Sequence, residues 1–366
     1  MKFLRKYIPI PALIFFILAG ISGVLHIIST NNPAFSDAFN RNISSHIRAF
    51  TATLTGWLPF SLAELVILTS PLILTLLLVF CAKLVHLPKF RTVRYIVSLV
   101  SVLALIYSLF VTSFGIAYNC SPITSKIGLK RRDVSADELY NSAVYMLGKC
   151  AEVIDDVDFI YGDRSVMPYT LDEMTDRLND AYAKVADKYE FIPHLRSNIK
   201  YVMASEPMSY THITGVYTFF TGEANLNINF PEYSLPFTAA HEMSHQRGVA
   251  PENEANFMAF LVCIESDDPY IRYSGYVNMY EYLANALYSA DSERYYDLLS
   301  TIDRRIYGEI VSYSRFFDKY RKTVVSEVSG AVNDTYLKLQ GQTAGTKSYG
   351  LVVDLAVAYV GMMNEE

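Results

Sequence analysis

Three long apolar runs occupy the first third of the chain, and a mixed, largely amphipathic pattern fills the rest. About 20 helical residues are needed to cross the hydrocarbon core of a bilayer. The runs at 8–29, 58–82 and 95–118 meet that length and predict three transmembrane helices, a membrane anchor over residues 1–118. No small-x-small cleavage site follows the first run, and two more runs come after it. Both points favour a retained span over a cleaved signal peptide.

Residues 119–366 have the length of one domain and read mostly as helix. Ser135-Ala136-Asp137-Glu138 is a capping box that opens a helix to about residue 154. Helical periodicity continues over 171–189, 273–290, 292–307 and 312–339, breaks at 341–345, and resumes over 348–363. One stretch has a different period. Asn225-Leu226-Asn227-Ile228-Asn229-Phe230 alternates polar and apolar, as a half-buried strand does. Gly215 to Phe220 is also strand-like, and Thr221-Gly222-Glu223 suits a turn, so a hairpin is expected. The fold class is therefore mainly α with a small β-sheet (α+β), behind three N-terminal transmembrane helices.

Composition agrees with a two-part chain. At 51% hydrophobic and 19% charged, it is too apolar for an ordinary soluble enzyme and too charged for spans alone. A net charge of -6 gives no electrostatic support for a nucleic-acid partner. Cys81 and Cys263 fall in apolar runs and read as buried thiols, whereas Cys120 and Cys150 are left open as a pair or as two thiols. The distribution of Lys and Arg sets orientation. Lys2, Arg5 and Lys6 precede the first span, and Lys83, Lys89, Arg91 and Arg94 lie around the second connection. The longer first connection has only Arg41 and Arg48. The N-terminus is then expected inside and the large domain outside a bacterial cytoplasmic membrane. Lys126, Lys130, Arg131 and Arg132 pull the other way. Glu64, near an end of the second span, reads as a carboxylate at the headgroup boundary.

The chemistry concentrates in His241-Glu242-Met243-Ser244-His245. Side chains four apart share a helix face, so both imidazoles can reach one metal ion, with Glu242 beside them to take a proton from water. A catalytic zinc ion usually takes three protein ligands. A third histidine in the HExxHxxGxxH pattern would fall at 251, where Pro251 stands, although Gly248 holds the glycine position. A carboxylate from the next helix fits better, and Glu252 and Glu254 are the candidates. Glu252 is favoured because Ala255, Asn256, Ala259 and Cys263 continue its face with small residues, and because Asn256 can support a ligand by hydrogen bonding. Such a site would hydrolyse an amide: zinc polarises water and carbonyl, and Glu242 passes the proton to the leaving amine. Tyr217, His212 and Tyr273 are possible donors to the oxyanion, and the sequence does not choose among them.

The arrangement His241-Glu242-x-x-His245 with Glu252-x-x-Ala255-Asn256 resembles zincin peptidases of the glutamate-ligand type. The stretch Glu252 to Ala259 is similar to the ExEANxFA segment of the repressor-cleaving metallopeptidases of mobile elements, in which the first glutamate is the expected ligand. Membrane zincins of the prenyl-protein type have aspartate where Asn256 stands here. Over nearly its whole length the chain also resembles a family of uncharacterised bacterial membrane proteins, a domain of unknown function. That likeness is carried by three N-terminal spans, Gly215 to Asn227, Pro236 to Gly248 and Glu252 to Asn256. The resemblance implies a zinc-dependent, zincin-like domain over 119–366 and supplies no substrate; the HExxH chemistry and the spans themselves lead to the expected partners, a peptide or protein substrate and the lipid bilayer. A membrane-anchored zinc metallopeptidase is therefore expected. The alternative is a non-catalytic zincin-fold sensor or scaffold that binds peptide or cell-wall material. A site within the membrane is disfavoured, because Arg247, Glu252 and Glu254 surround the motif and no apolar 20-residue run contains it.

Overall fold

The computed structural model describes residues 6–84, 88–130, 133–161, 163–321 and 323–365. Lys2, Arg5, Arg131 and Arg132, which entered the orientation argument, lie outside the described residues. The chain divides into two compact units, Met1–Cys120 with Thr218–Glu223, and Ser121–Tyr217 with Ala224–Glu366.

The first unit contains α1 (Ile10–Asn31), α2 (Pro33–Phe39), a π turn at Asn40–Ser44, α3 (Ser45–Gly56), α4 (Leu62–Leu84) and α5 (Lys89–Ser113). Helices α1, α4 and α5, at 22, 23 and 25 residues, are long and apolar enough to cross a membrane. Leu68, Leu72, Leu76 and Leu78 of α4 all turn outward, a cost in water that hydrocarbon removes. These are the marks of a membrane protein. The first connection is helical, and its Arg48 is not a solvent charge: it is buried and donates to the Ser113 carbonyl at 2.6 Å, at the C-terminal end of α5. The segment Thr218–Glu223 belongs to this unit because its polar groups finish other elements. Glu223 accepts from the Leu62 and Ala63 N–H groups at 3.0 and 2.8 Å, satisfying the open first turn of α4.

The second unit begins with α6 (Ile123–Ile127) and α7 (Ala136–Val153), then β1 (Phe159–Ile160) and β2 (Arg164–Ser165), an antiparallel pair. There follow α8 (Leu171–Lys188), β3 (Lys200–Tyr201), α9 (Ser205–Ser209), β4 (Gly215–Thr218) and β5 (Glu223–Leu226). The unit closes with α10 (Leu235–Gln246), α11 (Glu252–Ile264), α12 (Pro269–Ala290), α13 (Ser292–Thr301), α14 (Arg304–Asp318), α15 (Val324–Leu339) and α16 (Val352–Glu365). The expected box at Ser135 is present, with Glu138 returning to the Ser135 N–H at 3.0 Å.

Two expected helices are cut differently. The runs at 292–307 and 312–339 become α13, α14 and α15, because Asp303 accepts from the Arg305 N–H and Thr323 forms a capping box with Ser326. Apolar periodicity runs on across both caps and hides them. The hairpin lies where expected, but β5 stops at Leu226. The alternation past that point serves a polar network instead: Asn227 and Asn229 donate to Ser209, and Asn229 also donates to Tyr320. The sequence also concealed β3, which pairs in parallel with β5 (Lys200 opposite Asn225, Tyr201 opposite Leu226). The strand order β3-β5-β4 leaves β4 as an edge.

Helices α10 and α11 pack together in the main core of this unit, and α12 lies along α7, α10 and α11. Ala239, Ala240, Ala255 and Ala259 are fully buried, and their small side chains let the two helices approach closely.

Candidate metal centre

Helix α10 is buried along nearly its whole length, including His241, Glu242, Ser244, His245 and Gln246. Polar groups so deep in a core need partners. Tyr182 of α8 donates to the Ala240 carbonyl at 2.6 Å and lies 2.7 Å from the Ser244 hydroxyl. The Arg247 guanidinium stacks on the Tyr182 ring, 3.8 Å from its centroid, and donates to the Met243 and Leu195 carbonyls. Burial pulls the Arg247 pKa down to about 10. Gln246 accepts from Ser197 at 2.6 Å. Sequence reasoning missed this bracing. Its only signal was that the polar Gln246 and Arg247 follow directly on the second histidine of a helix whose start is apolar.

The end of α10 is shaped by Gly248, whose φ is +92°. Its N–H reaches the His245 carbonyl at 2.9 Å, and the Val249 N–H reaches the Ser244 carbonyl at 3.1 Å, a Schellman closure. The turn brings the Val249 carbonyl within 2.8 Å of His245 Nδ1. A carbonyl only accepts, so Nδ1 carries a proton and Nε2 is the nitrogen that can present a lone pair once its own proton is lost.

Glu252 is the first residue of α11, where the helix dipole favours a carboxylate. Its Oε2 stands 3.2 Å from His241 Nε2 and 3.4 Å from His245 Nε2. One ligand atom from each of the three residues lies within 4.8 Å of the others, and the two imidazole rings are nearly perpendicular, at 89°. Burial alone would raise the Glu252 pKa. The two imidazoles outweigh it and hold the carboxyl well below the usual carboxylate range. Burial would likewise lower His245, but the Glu252 charge and hydrogen bond, with Glu242 and the Val249 carbonyl, push it up to about 9.

The two Glu252 distances fit a metal. Donors about 2.0–2.2 Å from a tetrahedral zinc ion stand roughly 3.3–3.6 Å apart. Two imidazole nitrogens and one carboxylate oxygen are also a donor set that zinc accepts with a fourth position open.

Glu242 is buried beside the cluster, and burial raises its pKa against the lowering influence of His241 and His245. Its carboxylate accepts the main-chain N–H of Tyr217 on β4. Glu254 is not among the three grouped residues. It accepts the Ile123 N–H at 3.0 Å and so holds the start of α6. Asn256 is buried and hydrogen-bonds Tyr282, whose hydroxyl feels the Glu252 charge. Tyr282 is a neighbour that the sequence reading did not single out. Of the three proposed oxyanion donors, only Tyr217 is placed beside Glu242, and it is so through its backbone. His212 Nε2 is 2.8 Å from the Tyr320 carbonyl, and Tyr273 packs on Phe159 in a second core with Cys150. Cys150 itself is a buried free thiol, and burial pushes its pKa up.

The family described as Protein of unknown function (DUF3810) matches residues 39–357, a span that includes α4, α5 and the whole cluster. The chain belongs to that family. No curated protein and no solved structure matches it.

Proposed function

We propose that this member of the DUF3810 family is a membrane-anchored zinc metallopeptidase whose active domain, of zincin type, is the second unit. The reading rests on one observation: Glu252 Oε2 meets both His241 and His245 Nε2 at the edge lengths of a zinc tetrahedron. His241, His245 and Glu252 would hold the ion. Once bound, it would supply Lewis acidity toward water and a peptide carbonyl.

The chain's own groups do the rest. Val249 fixes the His245 tautomer, and Tyr182 and Arg247 keep α10 in place. Glu242 accepts a proton from the attacking water and returns it to the leaving amine. Burial makes the uptake easier, since it raises the affinity of Glu242 for the proton. A site built only to hold a structural ion has no need of a buried carboxylate next to its ligands, which favours hydrolysis over a sensor or scaffold role.

In this reading the catalytic unit faces the outer side of a bacterial cytoplasmic membrane. The burial of Arg48 supports that orientation, because it leaves Arg41 as the single solvent-facing arginine or lysine of the first connection, against Lys83, Lys89, Arg91 and Arg94 around the second.

The test is metal analysis and a peptide panel on the full-length protein in detergent. About one zinc per chain is expected. Glu242→Gln should keep the zinc and lose hydrolysis. A folded, metal-free protein that stays inert after zinc addition would end the proposal.

A further inference from the structure

Strand β4 is an edge of its sheet, and two of its residues bear on Glu242. The Tyr217 N–H donates to the Glu242 carboxylate. Gly215, two residues earlier, lies directly against the same side chain. A Cβ built there would come within 2.7 Å of both Glu242 Cγ and Oε1, and 3.0 Å from the Asn225 carbonyl. Real Cβ atoms essentially never make contacts that short, so the absence of a side chain at 215 is what lets Glu242 occupy its place. The strand cannot easily withdraw. Asn225 of β5 donates through its side chain to the Val216 carbonyl at 3.0 Å, and the Asn227 N–H donates to the Thr214 carbonyl at 2.9 Å.

We infer that Gly215 and the main-chain N–H of Tyr217 are the positioning elements for the general base, Gly215 by leaving room and Tyr217 by holding the carboxylate. This rests on the peptidase reading for the word base, but not for the contact. The metal ligands come from α10 and α11, whereas the carboxylate is set from β4. The strand that orients the base is thus separate from the helices that grip the ion. A substitution at 215 should therefore disturb proton transfer and leave metal binding intact, as misplacement of a catalytic group by about 1 Å can cost on the order of 10²-fold in rate.

The experiment uses the full-length, zinc-loaded protein in detergent and a thermal double-mutant cycle between positions 215 and 242. Gly215→Ala should retain one zinc per chain, lower kcat about 100-fold with KM little changed, and lower the melting temperature by several degrees. In a Glu242→Ala background the thermal cost of Gly215→Ala should fall markedly, because the two nearest atoms it strikes are gone and only the 3.0 Å approach to the Asn225 carbonyl remains. Val216→Ala, on the same strand with its side chain outward, should leave kcat unchanged.

A thermal cost as large in the Glu242→Ala background as in the wild type overturns the contact. Relief in the cycle together with an unchanged kcat in an active protein overturns the positioning role. Loss of zinc from Gly215→Ala overturns the separation of base from ligands. A wild type that binds no zinc and cleaves nothing instead overturns the peptidase reading, and with it any base to position, whatever the thermal cycle shows.

Discussion

His245 donates its Nδ1 proton to the carbonyl of Val249 across 2.8 Å, and the residue between them in the turn that makes this possible is Gly248, at φ +92°. An L side chain at that φ costs roughly 1 kcal/mol, and relief of the strain would swing the Val249 carbonyl away from the ring. Gly248→Ala should therefore weaken zinc binding about 10–100-fold, the usual effect of losing a group that orients a metal-ligating histidine. Competition against a chelator of known affinity measures it. An unchanged affinity would mean that His245 needs no such support.

The two glutamates at the start of α11 are predicted to separate cleanly. Glu252→Ala removes an oxygen that lies 3.2 and 3.4 Å from the two imidazoles, so bound zinc should fall to background. Glu254→Ala should keep its zinc, and should lose stability by about 1 kcal/mol because the Ile123 N–H loses its acceptor. Zinc content and melting temperature of both variants decide the matter. The reverse pattern of metal loss would mean that the ligand is misassigned.

Much of this was legible beforehand because it depends on local periodicity. The apolar runs foretold α1, α4 and α5, and the i, i+4 spacing foretold that His241 and His245 share a face. The preference for Glu252 over Glu254 came from small residues along one helix face, and the structure groups Glu252 with the histidines while Glu254 turns to Ile123. What stayed hidden depends on distant partners. The caps at Asp303 and Thr323 interrupt no apolar pattern. The two-residue strand β3 is visible only through its pairing with β5. Arg48 looks like a loop charge until the Ser113 carbonyl, 65 positions away, is placed against it. Gly215 looks like an ordinary strand-opening glycine until Glu242 is brought beside it.

Arg247 lies two residues past His245 yet is almost fully buried, stacked on Tyr182 and bonded to the Met243 and Leu195 carbonyls. Lysine carries the charge but has neither the planar face nor the fork of donors. Arg247→Lys should thus destabilise the protein by about 2–3 kcal/mol, leaving carbonyls unsatisfied and a smaller cation buried. Thermal melting of the metal-free full-length protein reads this without interference from zinc. A wild-type melting temperature in the variant would show that the brace contributes nothing.

Glu309 gives the fold a pH dependence of definite sign. Its side chain is 1% exposed, and burial pushes its pKa up to about 7 although the Ser165 N–H donates to it at 2.7 Å. In the unfolded chain a glutamate titrates near 4.5. The native state therefore holds a proton that the unfolded state has released between these two values. The stability that Glu309 contributes is fully present below about pH 4.5, declines as pH rises toward 7, and is lost above it, a change on the order of 3 kcal/mol. Glu309→Gln keeps an acceptor for Ser165 and cannot ionise. The variant should match the wild type in melting temperature at about pH 4 and exceed it at about pH 8, by several degrees. Equal melting temperatures at both pH values would show that Glu309 is ionised, or reached by water, in the native protein.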